Sequence, residues 1–144
     1  MKGDQIPKTD TVSRYCSASR ISESGRPLMT AFQLSNSDLA RNNPHLSVNW
    51  LEYFSNRSKE VQIDEIKRIF ARKMNVRATA KFALINVSKI HENVAEVRQA
   101  VRVLHWPDIE NKDDSHAGIF DVEADPDVIA QALSRINCEM VAAK

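Results

Sequence analysis

Apolar residues recur along this chain in two rhythms, and the change of rhythm marks its elements. From 28 to 34 the period is two: Leu28, Thr30, Phe32 and Leu34 share one face, which predicts a strand. A shorter strand is expected within 12–21, around Arg14-Tyr15-Cys16, followed by a turn over Ser22-Glu23-Ser24-Gly25-Arg26-Pro27. Residues 35–45 are polar, punctuated by Asn42-Asn43-Pro44, and read as a loop. Leu46, Val48 and Trp50 keep period two. Trp50, Tyr53 and Phe54 fall at helical spacing, so a strand running into a helical turn is expected. Over 58–74 the rhythm is helical, with Ser58 as N-cap and Ile63, Ile66, Phe70 and Met74 as the stripe. Residues 79–87 are apolar on both faces, Phe82 and Leu84 against Ala83, Ile85 and Val87, which predicts a central strand covered on both sides. A helix is expected over 89–99 (Ile90, Val94, Val97), then strands over 100–105 and 116–122. Asp125-Pro126 opens a last helix whose stripe is Ile129, Ala132, Leu133, Ile136 and Met140; Cys138 falls on its opposite face as a surface thiol. Residues 1–11 are polar and expected to be loose. Residues 12–144 thus predict a single α+β domain, four to six mostly antiparallel strands with about three helices.

Composition narrows the class without naming a function. The 144 residues fit one domain, and 42% hydrophobic with 27% charged is ordinary for a soluble globular protein. A formal net charge of +1 exerts no global pull on nucleic acid or anionic membrane. The first ten residues lack the apolar core of a signal peptide, and no apolar run approaches the ~18 residues of a membrane span. A cytoplasmic protein without membrane partners is expected. Cys16 and Cys138 match no metal spacing and are expected to stay reduced. Three glycines leave no phosphate-cradling loop.

Chemistry-bearing residues gather at one place. The strands ending in His105 and beginning at His116 flank an acidic loop containing Asp113 and Asp114. Paired as a hairpin, they would bring both imidazoles to one rim. Two imidazoles can divide acid and base roles beside Asp114. With Asp113 they could instead hold a divalent metal as a two-histidine, one-carboxylate set. The plainer alternative is that each histidine ends its strand bonded to a loop carboxylate. Cys16, two residues from Arg14, is an outside candidate nucleophile if it meets either histidine; the alternative is an inert buried thiol.

Charge is segregated. Residues 57–81 carry eight basic and three acidic side chains, whereas 108–127 carry eight acidic side chains and one lysine. Lys67, Arg68, Arg72, Lys73 and Arg77 could track phosphates. No interleaved aromatics, helix-turn-helix or zinc-finger spacing accompany them. A solvated helix face, or a basic patch paired with the acidic loop in the same fold or in a dimer, serves as well. Trp50, Tyr53 and Phe54 read as core, or, if exposed, as the anchor of a protein interface.

Four stretches, Arg14-Tyr15-Cys16, the run from Leu46 to Phe54, His105-Trp106-Pro107 and Ser115-His116-Ala117-Gly118-Ile119, together resemble a family of small uncharacterised bacterial proteins across residues 12–135. The resemblance implies a bacterial, cytosolic origin and brings no activity, so it assigns no role to any residue. The leading expectation is an accessory protein that works by binding another protein or a second copy of itself. The alternatives are a small hydrolase or transferase built on His105 and His116, and a nucleic-acid-binding module built on the basic segment.

Overall fold

The computed structural model describes residues 1–144. Strands β1 (Thr11–Cys16), β2 (His45–Trp50), β3 (Lys81–Asn86), β4 (Arg102–His105), β5 (His116–Phe120) and β6 (Glu139–Ala142) form one sheet in the order β4-β5-β2-β1-β3-β6, every neighbouring pair antiparallel. With α1 (Asn36–Leu39), α2 (Lys59–Lys73), α3 (Val87–Glu96) and α4 (Pro126–Ser134) they make a single α+β domain. The apolar faces of β3 explain the layering. Ala83 and Ile85 enter the larger core, shared with Val87 and Ile90 of α3 and Ile129 and Leu133 of α4. Phe82 and Leu84 enter a smaller core with Ile66 and Phe70 of α2. Ser58 caps α2 as expected, its Oγ accepting from the Val61 N–H at 3.3 Å.

Helix α2 covers only part of its face of the sheet. Tyr15 of β1 stacks on Phe70 at 5.3 Å, and Phe82 meets Phe70 at 5.0 Å. Farther along the same face, over β2 and β5, the sheet presents His45, His116 and Phe120 instead. There the face is walled by Lys2, Arg41 and residues 106–111, and the candidate site forms beneath them.

Strands β1 and β2 part early. Their pairing holds only Val12↔Trp50 and Ser13↔Asn49, while β2 pairs with β5 as far as His45↔Phe120. Arg14 bridges the parting, donating from Nη1 to the Ser47 carbonyl and from Nε to the Ala31 carbonyl, both at 2.8 Å. Burial lowers the Arg14 pKa, with the Cys16 and Asp38 charges opposing.

Several expected elements differ. Residues 28–34 form no strand; Met29–Phe32 is a single 3-10 turn whose Ala31 and Phe32 are buried. The Ala31 N–H closes on the Leu28 carbonyl, and its own carbonyl is taken by Arg14, so no ladder partner is left for it. The expected loop 35–45 contains the one-turn α1, closed by a reciprocal capping box between Ser35 and Asp38. Helix α4 stops at Ser134, and Met140, expected on its stripe, lies in β6 opposite Ala83. Cys138 therefore precedes a strand and is half-buried against the larger core. The N-terminal segment, expected to be loose, runs along the outer edge of β4. Gly3 N–H donates to His105 C=O at 2.7 Å, His105 N–H to Asp4 C=O at 2.9 Å, and Ile6 N–H to Val103 C=O at 2.9 Å. Ile6 is buried in the larger core, and its apolar contact fixes this segment.

Candidate functional site

Register decides which of the expected residues meet. In the β4–β5 hairpin His105 lies opposite Ala117, so His116 lies opposite Trp106, one residue away from the pairing that would join the two histidines. A one-residue offset turns a side chain to the other face of a sheet. His105 accordingly faces the larger core's side and His116 the α2 side, which separates the expected histidine rim. The His105 ring sits against Trp50 at 5.2 Å and Tyr53 at 5.5 Å, and its Nε2–H donates to the Asp114 backbone carbonyl at 2.7 Å. Its Nδ1 is buried without a partner. The exposed Asp114 thus contributes backbone, not carboxylate.

Asp113 is wholly buried and acts as a hub. Its carboxylate accepts from Asn49 Nδ2 at 2.8 and 3.0 Å and from Ser115 Oγ at 2.8 Å, with Lys73 Nζ at 3.7 Å. These bonds occupy the oxygens that a metal shared with His105 and His116 would need. No group of three or more His, Cys, Asp and Glu side chains is arranged to hold a metal ion. Cys16 is buried in the larger core, on the face opposite His116, and β1 stands three strand spacings from His105, about 14 Å. Burial pushes its thiol up to about 11, leaving it protonated at neutral pH and far from the histidines.

The basic segment is partly satisfied within the fold. Arg68 pairs with Glu65 at 3.0 Å, Arg72 donates to the Lys112 carbonyl at 3.4 Å, and Lys73 reaches Asp113, joining the α2 C-terminus to the acidic loop. Lys67 and the exposed Arg77 make no ion pair. Among the aromatics, Trp50 donates from Nε1 to Asp10 at 2.9 Å, Phe54 packs against the smaller core, and Tyr53 is 37% exposed.

The partner that His116 does meet is His45, which the sequence pattern did not single out. Their ring centroids are 5.8 Å apart, edge to face. Both lie on the α2 side of the sheet but four residues apart in register, since His45 pairs with Phe120 and Asn49 with His116. Gly118 lies between them on β5. A Cβ there would stand 2.7 Å from His45 Cδ2 and 2.7 Å from Phe120 Cε1. The missing side chain is what lets the His45 ring lie across β5 toward His116. Two sequence signals were available: polar residues at 45, 47 and 49 alternating with Leu46, Val48 and Trp50, and a glycine inside a strand, which marks a close approach.

Above these rings a cavity of about 400 Å³ opens, lined by Lys2, Arg41, His45, Trp106, His116 and residues 107–111. Backbone carbonyls fix both imidazoles: His45 Nδ1 lies 2.7 Å from Asn43 O, and His116 Nδ1 2.7 Å from Trp106 O. A carbonyl only accepts, so each Nδ1 carries a proton, and in the neutral ring each Nε2 then presents a lone pair. Arg41 Nη1 donates to His45 Nε2 at 3.3 Å and lies 3.6 Å from Asp38. His116 Nε2 makes no hydrogen bond and is not sealed in the interior, so its lone pair opens to the cavity. Burial pushes both imidazoles below their ordinary 6.5; for His116 the Trp106 carbonyl and Asp113 pull the other way. Partial burial raises the Asp108 carboxyl, but hydrogen bonds from Asn111, with His116 and Lys73 nearby, bring it below the usual range.

These shifts set an acid limb for stability. His45, His91 and His116 all hold protons more weakly when folded than the ordinary 6.5, so the unfolded chain binds protons first as pH falls. Their contribution is intact above 6.5 and is lost as pH drops through the lower, folded values. Urea midpoints measured on either side of 6.5 should fall on the acid side; a midpoint that holds or rises there contradicts the assignment.

No helix is long and apolar enough to cross a membrane. Comparisons with protein-family models, with curated proteins and with solved structures find no match to this chain.

Proposed function

We propose that the protein is a small acid–base enzyme of the hydrolase or transferase type, acting on a polar, oxyanion-bearing substrate held between Arg41 and His116. The observation that carries the reading is the bare Nε2 of His116, fixed in its tautomer by the Trp106 carbonyl and facing the cavity. A neutral imidazole in that state is ready to accept a proton at neutral pH. His116 Nε2 takes the proton of a water or substrate hydroxyl as that oxygen attacks the substrate. The imidazolium then returns the proton to the leaving group, and the neutral ring is restored. Asp113 and Asp108 lie close enough to favour the transient cation. Arg41 spends one N–H on His45 and keeps others for an oxyanion. His45 is then a positioning residue for the guanidinium.

The test is turnover of p-nitrophenyl phosphate, bis-p-nitrophenyl phosphate and p-nitrophenyl acetate by the parent and by His116→Ala. The expected result is a loss of at least about 10²-fold in kcat on whichever ester is turned over. Arg41→Ala should act mainly on KM for the phosphate esters. Equal rates for parent and His116→Ala on every ester turned over would overturn the proposal.

A further inference from the structure

The two edges of the sheet are treated differently. The β4 edge is covered by the chain's own residues 3–6, bonded to His105 and Val103. The β6 edge is bare: β6 pairs with β3 on one side and with nothing on the other. Ala143 N–H donates inward to Ala80 C=O at 3.1 Å. The alternation of an antiparallel ladder then turns the N–H and C=O groups of Met140 and Ala142 outward. Natural edges are blunted by short length, charge, proline, a bulge or a covering segment; β6 is short and opens on the charged Glu139, but Met140, Val141 and Ala142 carry neither charge nor proline.

We propose that this edge is the contact between two copies of the chain, paired antiparallel about a two-fold axis at Val141, so that the sheets continue across the dimer. A two-fold contact must be self-complementary, and the distribution of charge along β6 meets that demand. Its first residue is the half-exposed Glu139, held by Lys59 at 2.5 Å. Its far end is cationic: Lys67, Arg68 and Lys144 rim a cavity of about 340 Å³ whose apolar wall includes Met74 and Ala143. With the axis at Val141, Glu139 of the partner subunit falls opposite Ala143, beside that cationic rim, and the reverse holds across the axis. Met140 of each copy exchanges its N–H and C=O with Ala142 of the other. A parallel pairing would set acid against acid and base against base. The partner is therefore a second copy of this chain, bound by strand addition.

Light scattering after size exclusion, across low to high micromolar protein, tests this with Ala142→Pro as the variant. Proline removes an outward N–H and leaves the β3 ladder bonds in place. The parent should scatter as a dimer at the upper concentrations, and Ala142→Pro as a monomer whose urea midpoint matches that of the parent at dilutions where the parent is monomeric. Amide exchange covers the case in which the proline disturbs β6 itself. In the parent, the Met140 and Ala142 amides should become protected as concentration rises. A parent that stays monomeric throughout, a dimer that survives Ala142→Pro, or Met140 and Ala142 amides whose exchange ignores concentration would each overturn the proposal.

Discussion

Asp113→Ala is expected to destabilise the fold by about 3 kcal/mol, the low end of the range for breaking a buried ion pair from one side. The carboxylate has no exposed surface and gathers three elements: Asn49 of β2, Ser115 at the start of β5 and Lys73 at the end of α2. Alanine leaves the buried Ser115 hydroxyl without its acceptor, the buried Asn49 amide with only Ser115 Oγ at 3.0 Å, and the Lys73 amine without its counter-charge. Lys73 keeps 19% of its side chain exposed, so water relieves part of that charge, which places the estimate at the low end. The neighbouring Asp114→Ala is the control. Asp114 is exposed and lends His105 only its backbone carbonyl, so its replacement should stay within about 0.5 kcal/mol. Urea titration of both variants gives the comparison; equal effects would remove the hub role from Asp113. Loop 106–115 supplies one wall of the cavity, so Asp113→Ala should also loosen the Trp106 carbonyl that orients His116.

Gly118→Val should cost about 3 kcal/mol, the upper range for overpacking, and should displace His45 in particular. Gly118 has no positive φ, so the glycine is there for space and not for backbone freedom. A Cβ would stand 2.9 Å from His45 Cγ as well as 2.7 Å from Cδ2, and Phe120 blocks escape on the other side. The His45 ring must then swing off β5, and Arg41 loses its acceptor. The urea midpoint reads the first effect, and the ring resonances of His45 the second. A variant of parental stability with His45 unmoved would show that the ring does not rest on this glycine.

Much of the fold was legible because one period ruled each element. The strand at β3, apolar on both faces, announces a covered position. Ser58 and the stripe Ile66–Phe70 announce α2 within a residue of its limits. The passage from β2 into a turn at Leu51–Tyr53 follows from two periods overlapping at Trp50. Tertiary choices were less legible. Met140 fits a helical stripe as well as a strand, and only the free edge of β3 settles the matter. The hairpin was expected and is present, but its register was not written in the histidines. A single-residue offset moved His105 and His116 to opposite faces. His116 kept a place in the candidate site and His105 did not, while His45, now the first residue of β2, and Arg41 entered from a segment expected to be loop. Their approach depends on Gly118, where the informative feature is an absent side chain.

The proposed chemistry requires His45 and His116 to be neutral Nδ1–H imidazoles, with the Nε2 of His116 free of hydrogen bonds in the cavity. Long-range proton–nitrogen spectra of the ring nitrogens, followed through a pH titration, test it without any substrate. Protonated Nδ1 and unprotonated Nε2 are expected in both rings at neutral pH, with titration below the ordinary 6.5. An Nε2–H tautomer or an imidazolium for His116 at neutral pH would contradict it.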